Sequence, residues 1–180
     1  MSRVGKKEIM IPSGVIVDFD KSNNIVTVKG TLGELKVDVL DFVSLAIDSD
    51  KITVKVDDEN TKFQRSMWGT TRSLIQNAIA GVSQPFKKEI ELNGVGYKMA
   101  LSGANLVLNI GYSHPITVEV PGAIKLKLNK NVLEGECIDK QLIGDFFTSV
   151  HNMKPADPYK HKGFKFPGRY YRKKVGKKAK

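Results

Sequence analysis

Apolar and polar positions alternate with period two over Ile25-Val26-Thr27-Val28, Leu35-Lys36-Val37-Asp38-Val39 and Ile52-Thr53-Val54-Lys55-Val56. Each run predicts a strand with one face turned to a core. Val15-Ile16-Val17 begins an earlier strand after Pro12 and Gly14. Turn residues separate the runs: Ser22-Asn23-Asn24, a loop holding Gly30 and Gly33, and Asp48-Ser49-Asp50. The period then changes. Phe63, Met67, Leu74, Ile75, Ala78, Ile79 and Val82 follow helical spacing and predict one amphipathic helix. Gly81 is the expected C-cap, and Pro85 prevents continuation. Trp68 and Gly69 beside the stripe predict a close contact with the sheet.

The second half repeats this plan at an offset of 81 residues, set by aligning Gly30 with Gly111. Ile25-Val26-Thr27 then meets Leu106-Val107-Leu108, and Leu35, Val37 and Val39 meet Ile116, Val118 and Val120. A second helix is predicted after an N-cap at Asp139, with Leu142, Ile143, Phe146, Phe147 and Val150 on its stripe and Pro155 ending it. The expectation is an α+β protein of two tandem similar domains, each an antiparallel or mixed sheet packed against one main helix. Their expected bounds are 1–82, with a basic N-terminal arm, and 83–153, joined through Ser83-Gln84-Pro85-Phe86. A basic C-terminal extension, 154–180, follows.

Charge sharpens that extension. The chain carries 29 Lys and Arg against 19 Asp and Glu, a formal charge of +10. Residues 154–180 hold eleven of the basic residues and one acid, Asp157, so the remainder is neutral. A neutral body with a concentrated cation suits docking on a polyanion. Tyr159, Phe164, Phe166, Tyr170 and Tyr171 are interleaved with the cations. Lys and Arg bind phosphates, and flat rings stack on unpaired bases, which points to folded RNA. A membrane surface would favour an amphipathic helix, which Pro155, Pro158, Gly163, Pro167 and Gly168 forbid. The extension is expected to order only on binding.

Other chemistry is sparse. The lone cysteine, Cys137, lies in a strand-like run, which excludes an internal disulfide and a cysteine-based zinc site. His114, His151 and His161 form no metal-binding pair, and a Cys137–His151 nucleophile pair has the bland alternative of a buried structural thiol. The acids Asp57-Asp58-Glu59 precede a helix, and Glu134 and Glu136 share a strand face. Gly94-Val95-Gly96-Tyr97 lacks the third glycine of a dinucleotide loop, and a hairpin needing positive φ explains it more simply. No catalytic residue, metal or cofactor is expected, and no small-molecule substrate. The first seven residues have no apolar stretch behind them, so no secretory signal is expected, and a cytoplasmic location follows.

Several blocks, in order along nearly the whole chain, carry a resemblance. These are M-S-R-V-G-K-K-E-I-M-I-P-S-G-V at the start, G-T-T-R-S-L-I-Q-N-A-I-A-G-V at 69–82, N-G-V-G-Y-K at 93–98 and G-Y-S-H-P at 111–115. Near the C-terminus D-P-Y-K-H-K-G-F stands where the family usually has P-E-P-Y-K-G-K-G and an aliphatic residue. The chain resembles the family of bacterial-type large-ribosomal-subunit protein six.

The resemblance implies a structural constituent of the large subunit. It would bind 23S rRNA near the sarcin–ricin loop and the elongation-factor platform, beside neighbouring ribosomal proteins of the stalk base. It carries rRNA contact onto Pro158, Tyr159, Lys160, Lys162 and Gly163, and more loosely onto the basic run after them. With the charge argument, the candidates are those residues and Lys154, Lys165, Arg169, Tyr170, Arg172, Lys173, Lys174, Lys177 and Lys178. A second set of candidates is Arg3, Lys6, Lys7, Arg72, Gly94, Gly96, Tyr97 and Lys98. His161 replaces the family's glycine, Phe164 an aliphatic residue, and Arg169 an acid. The competing readings are a small basic RNA-processing enzyme and a membrane-surface adaptor.

Overall fold

A computed structural model describes residues 2–48 and 50–176. Lys177 and Lys178 lie outside the described residues, as does part of the predicted Asp48–Asp50 turn. The chain divides into two compact units, Met1–Phe86 with Ile138–Lys140, and Lys87–Cys137 with Gln141–Lys180.

In the first unit the strands are β1 (Ile9–Met10), β2 (Ile16–Asp20), β3 (Ile25–Gly30), β4 (Gly33–Asp38), β5 (Val43–Ile47) and β6 (Lys51–Val56), followed by helix α1 (Lys62–Ser83). They form two antiparallel sheets, ordered β2-β3-β4 and β1-β6-β5. Alternation buries Val26 and Val28 of β3 and Ile52 and Val54 of β6, and these meet Ile75, Ala78, Ile79 and Val82 of α1 in one core. The turn after β2 is held by the Asp20 carboxylate, which accepts from the Ser22 N–H at 2.9 Å and the Asn23 amide at 2.7 Å.

The helix stripe is rotated from the predicted one. Phe63 and Leu74 are exposed, and Trp68 and Thr71 are buried in their stead. The indole N–H of Trp68 donates to the Val54 carbonyl at 2.8 Å, the contact with the sheet that the sequence predicts. Gly81 is not the C-cap. It lies within the helix, and a Cβ there would overlap the Ile138 carbonyl. The helix ends because Gln84 precedes Pro85 and adopts extended backbone, φ −141° and ψ 131°.

The second unit has β7 (Phe86–Asn93), β8 (Lys98–Ser102), β9 (Asn105–Asn109), β10 (Ile116–Glu119), β11 (Lys125–Asn129) and β12 (Val132–Cys137). Helix α2 (Lys140–Met153) and a last strand, β13 (Gly163–Lys165), complete it. The sheets are ordered β10-β9-β8 and β11-β12-β7-β13. The predicted stripe of α2 holds, with Ile143, Phe146, Phe147 and Val150 buried. Gly135 of β12 has no Cβ because the Phe147 ring occupies that place, 2.5 Å from where one would sit.

Strand for strand the order matches that of the first unit. Even single bonds recur at the offset of 81: Ile11 N–H donates to Asp50 O at 2.9 Å, and Leu92 N–H to Asn131 O at 2.8 Å. Among the described residues β13 is the element without a counterpart.

Two expectations change. Gly94–Tyr97 is no hairpin, because β7 and β8 belong to different sheets and the loop carries the chain across. Nor do residues 154–166 wait for a partner to order. Phe164, the centre of β13, is wholly buried, and β13 pairs antiparallel with β7 through Gly163–Asn93, Phe164–Leu92 and Lys165–Glu91.

Candidate nucleic-acid interface

The basic stretch is folded by three returns, two of them closed by backbone–backbone bonds and one by a side-chain hydroxyl. In the first, Phe164 N–H donates to Lys154 O at 2.8 Å as β13 joins the sheet. Between those ends Asp157, the lone acid, organises a tight loop. Its N–H donates to Lys162 O at 2.9 Å, its carbonyl accepts from His161 N–H at 2.8 Å, and its carboxylate accepts from Lys160 N–H at 2.8 Å. In the second return Phe166 N–H donates to the Tyr171 hydroxyl oxygen at 2.9 Å. In the third, Lys174 N–H donates to Pro158 O at 2.9 Å.

These returns sort the aromatic residues. Phe164 is core, and Phe166 is half-buried, stacked on His151 at 5.0 Å between centroids with Lys88 Nζ 5.7 Å from its centroid. Tyr171 is half-buried through its bond to Phe166. Tyr159 and Tyr170 keep open faces, at 52% and 87% exposure. Around them Lys160, Arg169, Arg172, Lys173 and Lys174 are exposed, and Lys154, Lys162 and Lys165 are half-buried. Among the described residues none of these cations pairs with a carboxylate within 4 Å. Their charge is left for an outside partner.

Gly163 and His161 need the left-handed half of backbone space. Gly163 has φ +124°, and a Cβ there would lie 2.6 Å from Lys154 O and 2.7 Å from Pro155 O. His161 has φ +57°, the conformation that glycine adopts without strain, which accounts for the family's usual residue. His161 Nδ1 lies 3.2 Å from Lys165 Nζ, and its Nε2 is buried without a partner. Replacing His161 with Gly is expected to raise the unfolding free energy of the second unit by about 1 kcal/mol. Urea denaturation measures it. A loss of similar size would mean that the bond to Lys165 outweighs the strain.

The same unit gathers part of the second candidate set. Gly94 and Gly96 have φ +150° and +83°. The Tyr97 ring lies against Gly94 and Gly111, where a Cβ would approach it to 2.7 and 3.1 Å, and Lys98 is exposed. Beside Gly111, the Tyr112 hydroxyl donates to Met153 O at 3.0 Å, and Lys154 Nζ stands 5.0 Å from the Tyr112 ring centroid. Tyr112 and Lys88 are absent from the sequence-based candidates. For Tyr112 the signal was its place within G-Y-S-H-P; for Lys88 there was none.

Arg3, Lys6, Lys7 and Arg72 belong to the first unit. Lys6 pairs with Glu59 at 3.4 Å, and Arg72 Nε donates to Lys7 O at 3.1 Å, tying the N-terminal arm to α1. The acids have structural partners as well. Asp58 accepts from the Thr61 hydroxyl at 2.6 Å, which holds its carboxyl below the usual range. Lys87 pairs with Glu136 at 2.9 Å; that bond draws the Glu136 carboxyl down and the Lys87 ammonium up. Asn129 donates to Glu134 at 2.6 Å. Cys137 is buried, and the His151 ring is committed to Phe166. No cluster of three or more His, Cys, Asp or Glu able to hold a metal ion occurs among the described residues. No helix among them is long and apolar enough to cross a membrane.

Comparison with known proteins bears on both units. The family model described as "Ribosomal protein L6" matches twice, over residues 11–85 and 93–166. The chain belongs to the ribosomal protein L6 family. It is 42% identical over 179 residues to the large ribosomal subunit protein uL6 of Hydrogenobaculum sp. (strain Y04AAS1), covering 99% of this chain and 97% of that one. It is 43% identical over 181 residues to uL6 of Staphylococcus carnosus (strain TM300), covering 100% of both. With uL6 of Dictyoglomus thermophilum the identity is 38% over 182 residues, covering 100% of this chain and 99% of that one. The L6-family match over the second unit runs to residue 166, so it includes β13 and the Asp157 loop.

Proposed function

We propose that this protein is a structural constituent of the large ribosomal subunit, acting in the cytoplasm within the ribosome and without catalysis of its own. It binds 23S rRNA chiefly through the folded basic stretch of its second unit. The observation that carries the reading is the pairing of unneutralised cations with two exposed tyrosine rings on a loop that the backbone has already shaped. Lys and Arg neutralise phosphates while Tyr159 and Tyr170 stack on splayed bases. Because residues 154–166 are folded in advance, less ordering entropy opposes binding than a free tail would demand. Family membership supports a finer placement, against the sarcin–ricin loop and the elongation-factor platform, next to the proteins of the stalk base.

The test is binding of large-subunit rRNA by single-residue variants with footprinting of the complex. Tyr159→Ala and Tyr170→Ala are each expected to cost about 1–3 kcal/mol of affinity, the range for removing one base–aromatic stack, without changing the thermal unfolding of the protein. Unaltered affinity in both would remove stacking from the mechanism. Cleavage of the RNA in the same mixtures with Mg²⁺ would favour the processing-enzyme reading.

A further inference from the structure

The two units differ at one sheet edge. In the second, β13 closes the outer edge of β7 and buries Phe164. In the first, the matching edge belongs to β1, whose only sheet neighbour among the described residues is β6. The equivalence holds over four residues and stops at Pro12, which stands where Asn93 does and offers a carbonyl but no N–H. Glu8-Ile9-Met10-Ile11 corresponds to Glu89-Ile90-Glu91-Leu92 at the offset of 81, and Ile9 and Ile90 are both buried. Since the Ile11 N–H points to β6, alternation turns the Met10 N–H and carbonyl to the open edge. The Glu91 backbone faces Lys165 of β13 from that same position.

Beside this edge runs a groove of about 470 Å³, walled by Met10 and Ile11 on one side and by Gln76, Ile79, Ala80 and Ser83 of α1 on the other. Met10 is 63% exposed beside this groove.

We infer that the open edge of β1 and its groove receive an extended segment of another polypeptide, added as a further strand in the way β13 is added to β7. The internal repeat defines the occupant's chemistry. Phe164 lies opposite Leu92, whose counterpart is Ile11, so the incoming segment presents an aromatic or large aliphatic side chain there. Its next residue faces Met10 and lies diagonal to Glu8, within reach of a long side chain. Glu8 is exposed but already holds Lys51 at 2.8 Å, so the incoming side chain there joins an existing ion pair and is long and polar, as Lys165 follows Phe164. The partner motif is therefore an aromatic or large aliphatic residue followed by a long polar one, in extended conformation. Backbone bonds supply affinity and the groove supplies selectivity, the general mode of strand addition. This inference does not rest on the RNA-binding reading.

The probe is a synthetic peptide of residues 160–167, K-H-K-G-F-K-F-P, with blocked ends, added to the full-length chain and followed by amide NMR. Saturable shifts at Met10, Ile11 and Ala80 are expected, with slowed amide exchange at Met10. Ala80→Trp fills the groove from an exposed helix position, and Met10→Pro removes the outward N–H without touching the bonds to β6. Each is expected to weaken binding at least tenfold. The peptide carrying F164A, and a scrambled peptide of equal charge, are expected not to bind. Absence of saturable binding up to about 1 mM overturns the proposal. So do shifts confined to Glu91–Asn93, which would report exchange with β13, and binding indifferent to both variants.

Discussion

A chain ending at Gly168 is expected to retain a folded second unit and to lose affinity for large-subunit rRNA on the order of 10²–10³-fold at moderate salt. That cut removes Tyr170 and every basic residue from Arg169 onward, and it leaves β13 in its sheet. The salt dependence should flatten as well, by about 0.7–0.9 in the slope of log K against log salt for each phosphate no longer neutralised. Filter binding across a salt series measures both. An unchanged slope would mean that these cations do not touch phosphate, and would move recognition to the Asp157 loop and to Gly94–Lys98. A cut at 153 gives a different result, because it also strips Phe164 from the core. Emptying a site of that size costs about 3–5 kcal/mol, so weakened RNA binding would then report a damaged fold.

Gly163→Ala is expected to destabilise the second unit by about 2–5 kcal/mol, combining left-handed strain with overpacking. The obstruction is two backbone carbonyls, of Lys154 and Pro155, which cannot swing aside as a side chain could. Two readouts should agree: a lower urea midpoint, and faster tryptic cutting at Lys160 and Lys162 than in the unaltered chain. Gly168→Ala is the control. Gly168 has φ +76° but open space around its Cβ position, so strain alone remains, about 1–2 kcal/mol. Equal effects at the two positions would show that crowding at Gly163 is relieved by movement of β13.

Much of this architecture was legible because alternation and helical periodicity each report a buried face. Val26, Val28, Ile52 and Val54 stood in runs long enough to establish period two, and all four are buried. The duplication was legible because the offset of 81 held across two strands and their loop. Phe164 was misread for the converse reason. A three-residue strand set between Lys162 and Lys165 has no period to detect, and the surrounding charge made its ring look like a stacking surface. Trp68 and Thr71 escaped the stripe because Phe63 and Leu74, more conspicuous apolar residues, pulled the expected face around the helix. Within the site, charge identified the cations, but exposure alone distinguishes Tyr159 and Tyr170 from Tyr171, and exposure is a property of the fold. Gly81 looked like a helix stop; its smallness instead admits the Ile138 carbonyl.

The pairing of Gly163 with Asn93 sets the order in which a growing chain can mature. The first unit draws almost all its strands and its helix from residues made early. The second leaves the edge of β7 bare until synthesis has run through nearly everything that follows. Pairings so distant in sequence form slowly, and a bare strand edge invites mispairing in the interval. A nascent chain stalled before Gly163 therefore holds one finished half and one unsealed half. Sealing comes with the same stretch that carries the cations, so full polyanion affinity arises only as the fold becomes complete.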